Sequence, residues 1–202
     1  MKISLIVEGK TEVTFRDALR RFLEPRLTGR MPKLDLVPQD GRIPTGQKLR
    51  RLIEGLFGGK HPADAVIALT DVYTGTREFE DATDAKAKMR EWAGTESRFH
   101  PHAAQYDFEA WLLPYWSAIQ RLAGHNKSVP SGKPERVNHG KPPSQHIAEL
   151  FRAGTCRDDY SKTRDAKRIL RDVDLLDAAR KCPELRGFLN TILELCGGET
   201  IP

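Results

Sequence analysis

The chain has 202 residues, 39% of them hydrophobic and 30% charged, enough to bury one sizeable core as a single domain or a domain with an appendage. Only five apolar-leaning residues follow Met1-Lys2, too few for a signal-peptide core or a membrane span. The net charge of +5 is uneven: residues 121–171 hold 12 Lys/Arg against 5 Asp/Glu, a net +7, and the remainder a net −2. A polyanionic partner fits that distribution, and so does a solvated surface.

Ile3–Val7 is a short apolar, β-branched run of the kind found in a buried parallel strand. It stops on Glu8-Gly9, and a helical pattern follows, with Phe15, Ala18, Leu19, Phe22 and Leu23 on one face and Pro25 at its end. Thr11 is placed to cap that helix. Leu34–Val37 is a second strand, and Gly46–Phe57 a second amphipathic helix closed by Gly58-Gly59. Ala65–Leu69 forms the centre of a strongly apolar third strand over 64–70 that ends on Asp71; a charged helix covers Asp81–Trp92. Ala103–Tyr106 is a weaker fourth strand running into Asp107-Phe108-Glu109, which opens an apolar helix through Leu122. Strand and helix alternate four times, the pattern of an α/β parallel sheet flanked by helices. Ala123–Pro143, rich in Gly, Pro, Lys and Asn, reads as a long loop or lid, and the tail as helices over Ser144–Arg152, Lys162–Arg180 and Pro183–Leu195. The division is 1–122 as an α/β core and 123–202 as a basic loop and helical C-terminal extension packed on it. Cys156, Cys182 and Cys196 are widely spaced with no Cys-x-x-Cys pair, which implies a reduced cytoplasmic protein.

Three strands end in acids: Glu8 and Glu12 after the first, Asp71 after the third, Asp107 and Glu109 after the fourth. In a parallel sheet these ends share one edge, where ligands of open α/β sheets sit. Clustered carboxylates repel unless a cation lies among them, and hard oxygen ligands suit Mg²⁺ or Mn²⁺. Gly9-Lys10-Thr11 imitates the end of a P-loop, but Ser4 stands where that loop needs a glycine. His100-Pro101-His102 falls before the fourth strand and reads as structural or exposed rather than ligating. No serine occupies a nucleophile elbow.

Val7-Glu8-Gly9-Lys10-Thr11-Glu12 resembles the first motif of Toprim domains, in the Glu-x-x-x-Glu form of the OLD-type (overcoming lysogenization defect) nucleases. Val66–Asp71 resembles their second motif, and Tyr106–Leu113 a signature of small stand-alone Toprim-like proteins. Tyr160-Ser161-Lys162 and Cys182–Leu185 resemble the tails of those proteins, so the likeness spans residues 3–195. The resemblance implies a Toprim-like (Rossmann-like) fold and metal-dependent phosphodiester cleavage of DNA or RNA. It also implies an association with ABC-type ATPases in prokaryotic defence-like loci. On the resemblance Glu8, Glu12 and Asp71 match the family's site acids; with the other strand-end acids added, Glu8, Glu12, Asp71 and Glu109 are the candidate catalytic residues and Glu8, Asp71, Asp107 and Glu109 the candidate metal ligands. Tyr73 replaces the second acid of the second motif; a phenol with a pKa of about 10 is a poor Mg²⁺ ligand, so either Asp107 or Glu109 completes the site or activity is lost. Glu109 reads equally as a helix first-turn acid.

Arg164, Lys167, Arg168 and Arg171 form a wholly basic stripe at helical spacing, opposite Ala166, Ile169, Leu170 and Val173. Solvation is the default for such a stripe. With Lys141 in the preceding loop, and Lys162 placed to approach the acids, these residues are the candidates for phosphate-backbone contacts. The leading expectation is a Mg²⁺- or Mn²⁺-dependent nuclease switched by a separate ATPase, with homo-oligomer formation open and no membrane association. The alternative is an inactive Toprim module that binds nucleic acid or a protein.

Overall fold

β1 (Lys2–Val7) is central because its residues alternate between two apolar surfaces. Ile3, Leu5 and Val7 join Ile67 and Leu69 on one face, while Ile6 joins Val66 and Ala68 on the other. The computed structural model describes residues 1–72, 78–137, 140–156 and 159–202, with residues 10–12 described by backbone alone. α1 (Lys10–Leu23) follows β1 after two residues, so Thr11 lies inside its first turn rather than at its cap. Then come β2 (Lys33–Pro38), α2 (Gly46–Gly58), β3 (Ala65–Asp71), α3 (Ala82–Ala93) and β4 (Phe99–Ala104). The four described strands are parallel, in the order β2-β1-β3-β4. The fold is therefore α/β with helices on both faces, as the alternation predicts.

The fourth strand begins earlier than its hydropathy suggests. Pairing of Val66 with Phe99 and of Asp71 with Ala104 sets its register, so His100-Pro101-His102 lies within β4 and not before it. A proline is tolerated because β4 is an edge strand. His102 is buried, lies within 3.0 Å of the Thr191 hydroxyl, and is pushed down to about 3 by burial, so it is a neutral core residue.

After β4 the predicted long helix is broken: two 3₁₀ turns (Phe108–Trp111 and Leu113–Tyr115) precede α4 (Trp116–Ala123). Then come α5 (Pro143–Ala153), α6 (Lys162–Ile169), α7 (Leu175–Ala179) and α8 (Pro183–Leu195). The single tail helix expected over Lys162–Arg180 is two helices, because the Asp174 side chain caps a new start by accepting from Leu176 N. Arg171 thus lies beyond the end of α6. α2 and α3 cover one sheet face. α1 and the C-terminal helices cover the other, sharing a core in which the Phe15, Phe108, Trp111 and Phe188 rings meet at 5.5–6.2 Å.

The described part of the long loop is tied down. Glu135, in a 3₁₀ turn at Pro134–Arg136, is buried and accepts from Trp111 Nε1 (2.9 Å), Glu184 N (3.1 Å) and Leu185 N (3.3 Å). It occupies the N-terminus of α8, where free N–H groups and the helix dipole favour a carboxylate. Trp116 Nε1 also donates to Lys127 O. Beyond α5, Gly154 passes so near the end of α4 that a Cβ would stand 1.8 Å from Ala123 O. Glu135→Ala leaves two buried donors and one half-buried donor without an acceptor and should cost about 2–4 kcal/mol in urea unfolding, with Glu135→Gln costing less. A loss below about 0.5 kcal/mol for the alanine variant would show that the loop is held by other contacts.

Candidate active site

β1 and β3 are neighbours, so their carboxyl ends bring Glu8 and Asp71 side by side. Glu8 Oε1 accepts from the Thr70 hydroxyl at 2.5 Å and from Asp71 N at 3.0 Å, which fixes the Glu8 carboxylate across the strand ends. β4 delivers the second pair. Tyr106, just past the strand, has φ 73°, a left-handed conformation uncommon for a large side chain. That turn sends the chain into Asp107 and Glu109. Asp107 Oδ2 accepts from Ser144 N in the first turn of α5 at 3.1 Å, while Asp107 Oδ1 is buried with no hydrogen-bond partner among the described residues. Glu109 Oε1 accepts from the Tyr160 hydroxyl at 3.3 Å, and Glu109 Oε2 from Lys162 Nζ at 3.2 Å. All four acids are 5% exposed or less.

Burial and the neighbouring Asp107 charge push the Glu109 carboxyl up to about 7, with Lys162 opposing them. Asp107 is also raised, chiefly by burial, against the pull of its Ser144 bond and of Lys162. Burial works against the Lys162 charge, but Glu109, Asp107 and Asp71 outweigh it and hold its pKa above the ordinary lysine value. Lys162 therefore sits in the field of three of the four acids. Burial, then the Glu109 charge, raises the Tyr160 phenol far above its usual range, so it donates as a neutral hydroxyl.

Glu8, Asp71, Asp107 and Glu109 thus gather at the carboxyl edge of the sheet. The side chain of Glu12, and Tyr73 altogether, lie outside the described residues. The basic candidates divide. Lys162 belongs to the acid site. Lys141 pairs with Glu149 at 2.5 Å, and Arg164 and Arg168 clamp the buried Asp165 at 3.0 and 3.1 Å. Lys167 and Arg171 are exposed and line a small hollow with Arg21. Sequence reasoning missed the Thr70 hydroxyl and the Ser144 amide, which carry no motif. It also missed Glu135 and Asp165, whose one available signal was a lone acid in a basic stretch.

The donor set fits a hard divalent cation in its chemistry: every candidate ligand is a carboxylate oxygen, and the unpartnered Asp107 Oδ1 is the atom a cation would satisfy. As arranged, no three Asp, Glu, His or Cys side chains among the described residues group closely enough to hold one. Lys162 supplies the positive charge instead.

The family described as a domain of unknown function (DUF4276) matches residues 7–193. No curated protein matches the chain. Among solved structures, the C-terminal region of the Burkholderia pseudomallei OLD protein is similar at a TM-score of 0.56 and 13% identity, covering 96% of this chain and 98% of that one. The C-terminal region of the Xanthomonas campestris pv. campestris OLD protein is similar at a TM-score of 0.43 and 12% identity, over 96% and 97% of the two chains. The fold is thus similar to that of the C-terminal region of the Burkholderia pseudomallei OLD protein. Among the described residues no helix is long and apolar enough to cross a membrane.

Because its folded pKa lies above the ordinary value of 4.5, Glu109 keeps a proton that the unfolded chain releases. Its stabilising contribution is full below about pH 4.5 and is lost as pH rises through about 7, up to about 3 kcal/mol in all. Urea unfolding at pH 5 and pH 8 should show a steeper loss in the wild type than in Glu109→Gln. Parallel pH dependences would refute the buried-acid assignment.

Proposed function

The chain belongs to the DUF4276 family, and we propose that it is a Mg²⁺- or Mn²⁺-dependent nuclease of the Toprim type, hydrolysing DNA or RNA phosphodiesters. The observation that carries the reading is the gathering of Glu8, Asp71, Asp107 and Glu109, all buried, at one sheet edge with a lysine among them. Buried like charges are costly, and structures retain them where they do chemistry. The OLD-type fold agrees with this reading.

In the proposed mechanism Glu8 and Asp71 would hold the cation, with Asp107 and Glu109 as further ligands. Thr70 and the Asp71 amide keep Glu8 in place. The cation, when bound, supplies charge stabilisation to the phosphoryl group. Where it does not ligate the cation, Glu109 would take the proton of an attacking water, and Glu12 is the other candidate for that role. Lys162 is long enough to leave Glu109 for a non-bridging phosphate oxygen. Tyr160 then still holds Glu109 in orientation. Lys141, Arg164, Lys167, Arg168 and Arg171 are the proposed contacts to the flanking backbone. A separate ABC-type ATPase is the proposed trigger, as the resemblance to defence-associated Toprim proteins implies.

One observation favours a second reading. Lys162 already pairs with Glu109, and no three of the acids stand at metal-holding distance among the described residues. A module of this kind could bind nucleic acid without cutting it.

Purified protein incubated with supercoiled plasmid, linear DNA and total tRNA should cleave at least one of them with Mg²⁺ or Mn²⁺ and none with EDTA. Glu8→Ala should reduce the rate by at least about 100-fold, the scale of losing one electrostatic or acid–base contribution. Cleavage by Glu8→Ala at the wild-type rate would remove Glu8 from the mechanism. Salt-sensitive binding without cleavage or metal uptake would establish the second reading.

A further inference from the structure

A second, wholly different hollow lies at the opposite end of the sheet, where β1 and β2 begin. Its volume is about 540 Å³, and Lys2, Arg16, Arg20, Arg30 and Lys33 line it against one acid, Asp64. Lys2 and Asp64 are already engaged: Lys2 Nζ meets Asp35 at 3.0 Å, and Lys2 N donates to Asp64 at 2.6 Å. Arg16, Arg20, Arg30 and Lys33 are exposed, and among the described residues none has an acidic partner within 4.0 Å. Arg20 has a structural reason to be there, since it stands in the last turn of α1, where the helix dipole favours a cation. Arg30 precedes β2 and Lys33 opens it, so the dipole does not explain them. Four like charges without an acidic partner around one cavity repel, and only Arg20 gains from a helix dipole. They are arranged to receive an anion.

A series of cations on α6 and α1 leads from the acid site toward the hollow. Lys162, on Glu109, opens α6. Lys167 in that helix and Arg171 beyond it line a hollow of about 150 Å³ with Arg21 of α1, whose Nη2 donates to Leu170 O at 2.5 Å. Arg20 is the next residue of α1, and Arg16 lies one turn before it on the same face.

We infer that this line is a track for the nucleic-acid backbone, running from the acid edge across the α6–α1 seam, and that the hollow takes a flanking phosphate at its end. β1, six residues long, separates the two ends by about 20 Å at ~3.3 Å per residue. That is the length of about six base pairs at ~3.4 Å each. A duplex must extend that far beyond the reacting phosphate to reach the hollow. The inference rests on the nuclease reading for what happens at the acid edge, but binding in the hollow is read without cleavage.

The test uses the full chain in EDTA and the variant Arg16→Ala/Arg20→Ala/Arg30→Ala, with melting by circular dichroism to confirm that the variant folds. First, titration with inorganic phosphate, followed by NMR, should shift the backbone amides of residues 30, 31, 33 and 34 in the wild type and not in the variant. No shift in the wild type overturns the anion site. Second, fluorescence anisotropy with labelled duplexes of about 8 and about 20 base pairs should show an affinity loss of about 10-fold for the longer one only, and a salt slope lower by about 3. Equal losses on both lengths, or none, overturn the track, as does failure of the wild type to bind either duplex. Failure of the nuclease reading is seen separately, as absence of Glu8-dependent cleavage in Mg²⁺ or Mn²⁺ by a protein whose length-dependent binding is intact.

Discussion

Burial of four carboxylates at one edge of a parallel sheet, with the Asp107 charge set against Glu109, is the constraint on which the rest of the structure depends. Parallel pairing puts the ends of β1, β3 and β4 together, and the chain has acids at all three. Leaving these groups unsolvated and uncompensated would be prohibitive in a protein of ordinary stability. Compensation comes from three directions. Thr70 and the Asp71 amide serve Glu8 from within the sheet. The Ser144 amide at the start of α5 serves Asp107. Tyr160 and Lys162, on either side of Ser161, serve Glu109. Two of the three originate in the C-terminal third, so that region completes the site and does more than cover it.

The same logic explains how the C-terminal helices are held. Their apolar faces share a core with α1 and the sheet, and the aromatic cluster joins Phe15 of α1 to Trp111 and Phe188. Glu135 fastens the intervening loop to α8 through bonds a neutral side chain could not fully replace. Part of the concentrated basic charge is already paired. Asp165 is fully buried between Arg164 and Arg168, and Lys141 is engaged by Glu149. Lys167 and Arg171, which carry no such partner among the described residues, are left facing solvent. The surface field offered to an anion is thus narrower than the count of Lys and Arg suggests.

Much of the sheet was legible because its strands are apolar runs with an acid or turn after them: the β1, β2 and β3 assignments differ from the observed bounds by one or two residues. β4 was misplaced because His100, Pro101 and His102 dilute its hydropathy; its true start is fixed by pairing with β3, a non-local fact. Lys162–Arg180 reads as one helix because the apolar period runs through Leu170 to Val173, while the break comes from a side-chain cap at Asp174. Strand-end position made Glu8, Asp71, Asp107 and Glu109 visible as a set. What spacing alone could not provide was the Lys162–Glu109 contact, which joins residues 53 apart in sequence, or the Asp107–Ser144 bond, which spans 37.

The central claim is that the acid cluster takes a divalent cation in place of the Lys162 charge. Crystals soaked in Mn²⁺ and measured at the manganese absorption edge test it directly. The account predicts one or more anomalous peaks within about 2.0–2.3 Å of carboxylate oxygens from Glu8, Asp71, Asp107 or Glu109. It also predicts that Lys162 Nζ moves off Glu109, where it now lies at 3.2 Å. An empty acid edge at saturating Mn²⁺, with the Lys162–Glu109 bond unchanged, would contradict the account and leave the cluster a lysine-neutralised structural site.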